Sequence, residues 1–496
     1  MTSALETAEN PQDMKRIVIE PLTRVEGHGK VTLLQGKNRN IRQARLHITE
    51  FRGFEKFIQG RPYWELPVLV QRLCGICPVS HHLAAAKATD MIVGAQELTP
   101  TAEKIRRLMH FGQTLQSHAL HFFHLCSPDL LFGFDDDVRH RNIVGVIEDS
   151  PEIAKQGVLL RKFGQEVIRL TAGKRIHGTG AIPGGVNKSL SKEEVKYLQK
   201  DIVQVIGWAQ GALELLKKIF FEHPTYHLEF ASIESNMMSM VRPDGGFELY
   251  DGGLRAKDQN GNVIFDHIDY RDYNDYIRES VKDWSYMKFP FITALGEEDG
   301  WYRVGPLARV NNCDFFPSPL AEAERQEFMA LGNGQPIQST LAFHWARLIE
   351  LLHCTEAIAE MLCDRDIVGK DLLNRGELQS KGTGVIEAPR GTLFHQYEIN
   401  DLGIVEKASL IVSTTNNNQA MNESIRKVAN QYLDGHRLTE ALLNQVEVAI
   451  RAYDPCLSCA THAIGKMPME LNLLDADGEL IDRLEKRVTG SISRTF

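Results

Sequence analysis

Two Cys-x-x-Cys pairs near opposite ends of the chain, Cys74/Cys77 and Cys456/Cys459, constrain this sequence more than any other feature. Two residues between cysteines let both sulfurs turn toward one ion, and Gly75 permits the tight turn. Four thiolates suit soft or borderline metals: zinc, nickel or iron. If both pairs meet on one centre, the 379 positions from Cys77 to Cys456 must fold back on themselves, which argues against separable domains. The other cysteines, Cys126, Cys313, Cys354 and Cys363, are isolated and lack ferredoxin-like spacing. A buried redox centre in this chain therefore needs a partner to carry its electrons.

A chain of 496 residues, 43% hydrophobic and 24% charged, is long enough for a large core. Its net charge of -9 and scattered basic residues exclude the concentrated basic face of a nucleic-acid binder. The N-terminus has no basic region followed by an apolar stretch, so no secretory signal is read there. No run of 18 apolar residues predicts a membrane span. Paired cysteines in a long chain without a signal point to metal or catalysis in a reducing cytoplasm rather than to disulfides.

The pattern predicts an α+β fold: one large unit with a long-helix bundle core and peripheral mixed or antiparallel sheets. Residues 1–15 read as a polar, mobile tail, residues 16–462 as the main unit and residues 463–496 as a C-terminal extension. Strand alternation fills residues 16–60, and a helix is expected over 81–97. Thr99 before Pro100 marks an N-cap and first-turn proline, opening a helix toward Leu125. Ser191 and Glu194 form a capping-box pair opening a helix toward Phe221. An amphipathic helix is expected over 340–362, strands with a hairpin over 383–415, and helices over 420–433 and 439–452.

Both cysteine pairs have acid–base neighbours: His81 follows the first, and Asp454 and His462 flank the second. An inert four-cysteine zinc site remains open on the bare pattern, but such sites keep their pairs within tens of residues and need no acid–base neighbours. Other ionisable clusters sit beside glycines: Arg24-Val25-Glu26-Gly27-His28-Gly29, Phe51-Arg52-Gly53-Phe54-Glu55 and Ala388-Pro389-Arg390-Gly391. Taken alone, a glutamate in such a loop is usually solvated or salt-bridged. His118, His121 and His124 share a helix spacing with Asp129 just beyond, and read as core histidines with hydrogen-bond partners. Phosphate-loop, dinucleotide-loop, serine-elbow and H-E-x-x-H templates are all missing.

In order along the chain, segments 24–29, 51–55, 72–81, 115–129, 388–395, 412–415 and 454–462 resemble the large subunit of nickel–iron hydrogenases, most closely the cytosolic bidirectional NAD-reducing type. The resemblance implies reversible heterolytic oxidation of H2 at a Ni-Fe centre whose iron carries CO and cyanide. Cys74 and Cys456 would be terminal nickel ligands, and Cys77 and Cys459 would bridge nickel to iron. Glu26 would take the proton onward from Cys456; Arg390, Asp129 and Asp454 would roof the metals; Thr414 would hydrogen-bond a cyanide. Glu55, the Leu410 carbonyl and His462 would bind Mg2+.

The resemblance also implies partners. These are a small subunit carrying iron–sulfur clusters, diaphorase subunits carrying FMN and reducing NAD+, nickel-insertion chaperones, and a maturation protease cutting after His462. The same chemistry coupled to NADP, deazaflavin or ferredoxin is the nearest alternative. A four-cysteine zinc scaffold, or a quinone-site subunit like those of respiratory complex I, is the alternative of another class. The complex I relatives lack the cysteines that this chain has. One departure weakens the cyanide contact: Ser413-Thr414-Thr415-Asn416 stands where many relatives have Pro-Ser-Thr-Trp.

Overall fold

The computed structural model describes residues 15–19, 22–36, 40–95, 97–134, 140–433 and 439–462, and the backbone of three later strands. The expected tail at residues 1–14 lies outside the described residues, and Lys15 already belongs to the first strand.

The core is helical. Pro100–Leu120 packs along Pro151–Ala172 so closely that a Cβ on Gly112 would lie 2.8 Å from Val167 and one on Gly164 would lie 2.6 Å from the Gly112 carbonyl. Glycine at both positions lets the two backbones meet. Ala342–Met361 and Ile202–Glu222 complete the bundle. Thr99 accepts the Ala102 N–H and Pro100 occupies the first turn, as the sequence predicts. The helix then loosens into a π-turn, His121–Cys126, before Ser127–Phe132. The Ser191/Glu194 capping box is present, although the helix it opens stops at Gln199 and a second begins at Ile202.

Two expectations change. The helix after the first cysteine pair is Pro78–Ile92 rather than 81–97, because Pro78 fits its first turn and Gly94, at φ +66°, ends it against the backbone of Glu377. The helix Ala342–Met361 is not amphipathic: every residue from Ala342 to Thr355 is buried. Its polar side chains are used inside, with Glu350 on Arg309, His353 on Ser318 and Arg347 on the Ala452 carbonyl.

The sheets surround this bundle. Lys15–Ile19, Gly29–Gln35 and Ile41–Ile48 form an antiparallel meander. A four-stranded sheet joins Tyr302–Arg303 in parallel to Asn236–Val241, which continues antiparallel through Gly253–Lys257 to Val263–Ile268. Lys381–Ala388, Gly391–Ile399 and Val405–Ile411 form the antiparallel sheet that carries Arg390 in its first turn. Beyond His462, Met469–Leu474, Leu480–Lys486 and Ile492–Thr495 pair as a further antiparallel sheet. Buried apolar clusters draw on helices and sheets from Leu22 to Ala460, the α+β class expected. Among the described residues, no helix is long and apolar enough to cross a membrane.

Candidate metal centre

The two cysteine pairs meet. The sulfurs of Cys74, Cys77, Cys456 and Cys459 all lie within 4.8 Å of one another, and all four residues are buried. Cys74 sits at the end of a 3-10 turn, Val70–Leu73, and Cys77 caps the helix Pro78–Ile92. The N–H groups of Ile76 and Cys77 both point at the Cys74 sulfur, each at 3.3 Å. The second pair arrives after Glu440–Ala452, with Asp454 at φ +52°, a left-handed conformation costly for a residue with a Cβ.

The first and last segments of the unit are laced together here. Glu26 and Cys456 form an isolated parallel bridge, and Leu457 N–H donates to the Glu26 carbonyl at 3.1 Å. Gly27, at φ +82°, makes room: a Cβ there would come 2.8 Å from Ser458 N. The Glu26 carboxylate accepts from the Cys456 thiol at 3.1 Å, from Ser458 N–H at 3.2 Å and from the Ser458 hydroxyl.

Four sulfurs crowded into a buried pocket cannot all carry charge without a cation among them. Hydrogen bonding from the Cys456 sulfur, 3.2 Å away, is the largest effect holding Cys74 well below the usual thiol range. Cys456 likewise brings Cys77 down to about 6. Burial pushes Cys456 and Cys459 up, and the Cys459 thiol donates to the Leu73 carbonyl at 3.1 Å. A metal seated among the four sulfurs would displace the protons they hold.

Arg390 stands over the sulfurs from the hairpin turn. It donates to Asp454 Oδ1 at 3.0 Å and to the Asp454 carbonyl. Its Nη1 and Asp454 Oδ2 are buried without a described partner. Burial raises the Asp454 carboxyl against the pull of Arg390 and Arg347. A cavity of about 10 Å³ is lined by Cys77, Ser80, His81, Arg390, Thr414 and Cys456 among others, space for about one water-sized guest. Thr414 accepts the Cys456 N–H at 2.9 Å, which leaves its own hydroxyl proton to donate.

Cys74, Cys459, Glu26, Asp129, Asp454, Glu55, Leu410 and His462 do not line this cavity. Asp129 does not touch Arg390; it is held by Arg24, by Arg141 at 2.9 Å and by Arg451 at 2.9 Å. Glu55 accepts the Leu410 N–H at 2.8 Å and the Lys288 ammonium at 3.1 Å. His462 is buried with neither ring nitrogen in hydrogen-bond geometry to a described residue. Burial, then the Lys288 charge, brings its imidazole down to about 3. His462 thus presents a buried, neutral imidazole with one free lone pair. His118 and His121 have the partners expected of core histidines, Glu350 and the Arg451 carbonyl; the buried Nδ1 of His124 has none described.

Sequence reasoning missed Ser458, Arg141, Lys288 and Arg451. Ser458 lies between the two cysteines, so its position was a signal. Lys288 reaches Glu55 from a distant segment, while Arg141 and Arg451 lie outside any motif although Arg451 stands just before Asp454.

The profile of the nickel-dependent hydrogenase family matches residues 52–132 and 254–462, and a HoxL-like profile matches residues 16–51. The NAD-reducing hydrogenase HoxS subunit beta of Cupriavidus necator is 45% identical over 94% of this chain and 99% of its own length. A chain of the F420-non-reducing hydrogenase of Methanothermobacter thermautotrophicus is 43% identical over 95% of this chain and 100% of its own. The crystal structure of an NAD+-reducing [NiFe]-hydrogenase in the H2-reduced state superposes with a TM-score of 0.88 at 55% identity, covering 90% of this chain and 99% of that one. Full-length relatives at this identity, and a profile that takes in both cysteine pairs, lead to one conclusion: this chain belongs to the nickel-dependent hydrogenase family.

Proposed function

We propose that this chain is the catalytic subunit of a soluble cytoplasmic hydrogenase that couples reversible H2 oxidation to NAD+ through partner subunits. The observation that carries the reading is the convergence of four buried cysteine sulfurs beside a carboxylate and a guanidinium with a free donor. A zinc scaffold needs neither. When bound, the Ni-Fe centre with its CO and cyanide ligands supplies heterolytic cleavage of H2.

The residues present fit that group. Cys74, Cys77, Cys456 and Cys459 would hold the Ni-Fe centre, Cys74 and Cys456 as terminal nickel ligands and Cys77 and Cys459 as the pair shared with iron. Arg390 Nη1 is a donor awaiting an acceptor such as cyanide, and the Thr414 hydroxyl is a second. Glu26 accepts the proton from Cys456 and can pass it to Ser458, already in contact with both carboxylate oxygens. Asp454 orients Arg390 from beside the sulfurs, and Asp129 holds Arg24 and Arg451 on the far side of the same chain segment. Glu55, the Leu410 carbonyl and His462 would hold Mg2+; without the ion, the Lys288 ammonium pairs with Glu55.

Electrons leave to a small subunit with iron–sulfur clusters and onward to a diaphorase carrying FMN and NAD+. The NAD-reducing coupling is supported by the HoxS subunit beta likeness; relatives named F420-non-reducing hydrogenases keep a different acceptor as the second reading. Residues 463–496 are removed by a protease after His462 once nickel is inserted by its chaperones. Steady-state reduction of NAD+ by H2 with the assembled enzyme tests the coupling; H2 oxidation that reduces ferredoxin or a deazaflavin but never NAD+ contradicts it.

A further inference from the structure

Arg390 acts from a two-residue hairpin turn, with Ala388 paired to Gly391 across it. Such a turn leaves its own carbonyls facing inward, and they must be satisfied. One side chain does this. Arg309, on the short helix Pro306–Asn312, donates from Nη1 to the Ala388 carbonyl at 2.9 Å and from Nη2 to the Pro389 carbonyl at 3.3 Å. Its remaining donors go to Glu350, at 2.6 Å from both Nε and Nη2, and to Glu387 at 2.8 Å. All five N–H groups of a fully buried guanidinium are thereby used.

The clamp is itself held. Glu350 lies on the core helix Ala342–Met361, and its Oε2 also meets His118 Nε2 at 2.9 Å, from the helix Pro100–Leu120. Glu387 accepts the Met240 N–H at 2.9 Å and the Thr392 hydroxyl at 2.7 Å. The helix that carries Arg309 also abuts Arg390 directly: a Cβ on Gly305, at φ +96°, would lie 2.8 Å from the Arg390 carbonyl. Gly391, at φ +135°, lies closer still: a Cβ there would come 2.2 Å from Val304. The backbone around Arg390 is therefore hemmed in by Val304 and Gly305, which lead into the helix of Arg309.

We propose that Arg309 is a positioning residue for Arg390. It fixes the Pro389-Arg390 turn so that the Arg390 guanidinium keeps its contact with Asp454 above the four cysteines, and His118 and Glu350 transmit the rigidity of the helix bundle to that turn. The proposal rests on the reading that Arg390 serves the metal centre. A lysine at 309 would keep the charge but lose the fork that reaches two carboxylates and two carbonyls at once.

The test is a double-mutant cycle in the assembled holoenzyme with Arg309→Lys, Arg390→Lys and the pair. Three readouts are taken: H2/D+ exchange, the infrared cyanide and CO bands, and a crystal structure of Arg309→Lys. The expected result is a roughly 10- to 100-fold loss of exchange for Arg309→Lys, typical of a displaced active-site group. Nickel content is retained, the cyanide bands shift, and the Arg390–Asp454 contact is broken in the crystal. Adding Arg309→Lys to Arg390→Lys then costs nothing further. Glu350→Gln, which keeps the shape of the clamp, carries the same cycle if Arg309→Lys does not fold. Additive losses, or unchanged bands with Arg390 in place, overturn the proposal and leave Arg309 a structural residue. An Arg390→Lys enzyme indistinguishable from wild type overturns instead the reading on which the proposal rests.

Discussion

The Cys456 thiol lies 3.1 Å from Glu26 Oε2, across 430 positions of sequence, and the same carboxylate receives the N–H and hydroxyl of Ser458. A carboxylate in contact with a thiol of the cysteine cluster on one side and a hydroxyl on the other is placed to move a proton between them. Glu26→Gln keeps the shape and an acceptor oxygen while removing the ability to take a proton. Nickel and iron content should be unchanged, and H2/D+ exchange should fall roughly 10²- to 10⁴-fold. Exchange at the wild-type rate removes Glu26 from the proton path.

Cys77 and Cys459 stand on opposite segments and meet only in the folded chain. Cys77→Ser replaces a soft, acidified thiol with a hydroxyl that does not ionise near neutral pH. The variant should fold and lack both metals by elemental analysis, whereas a full nickel complement would deny Cys77 a place in the centre.

Asp129 is surrounded by Arg24, Arg141 and Arg451, with its own side chain 4% exposed. Removing its charge takes from buried Arg141 and Arg451 a carboxylate that each pairs with, leaving Arg451 its second partner, Glu447. Asp129→Asn should destabilise the protein by roughly 3–5 kcal/mol, read from denaturant unfolding. A loss of exchange activity with stability intact would give Asp129 a direct part in the chemistry instead.

His82, His110, His118 and His353 are fully buried, and burial holds each imidazole down to about 4. An unfolded histidine titrates near 6.5, so between about 6.5 and 4 the unfolded chain binds more protons than the folded one. The stability from keeping these groups neutral is complete above about pH 6.5 and is lost as pH falls toward 4. The thermal midpoint should therefore drop between pH 7 and pH 5. A flat profile over that range would contradict the neutral, desolvated state of these side chains.

Much of this was legible before the structure. The N-cap at Thr99, the capping box at Ser191 and the hairpin around Arg390 are local signals, fixed by neighbours within a few residues, and they hold. The α+β architecture follows from segment periodicity, and the meeting of the cysteine pairs from their shared appetite for one metal. What escaped reading depends on distant partners. The helix Ala342–Met361 has charged residues at positions that suggest a wet face, yet Arg309 arrives from another segment to neutralise Glu350 inside the core, with His118 hydrogen-bonded to it. Lys288 reaches Glu55 from 233 positions away, and Arg451 reaches Asp129 from 322. No pattern in either segment announces such a pairing, because the charge that makes each burial tolerable lies elsewhere in the chain.

Whether the four convergent cysteines hold a nickel–iron centre is tested most directly by elemental analysis of the purified mature protein, with infrared spectroscopy of the same sample. About one nickel with iron, and bands in the CO and cyanide stretching region, are expected. Zinc alone, with that region empty, would contradict a nickel–iron centre.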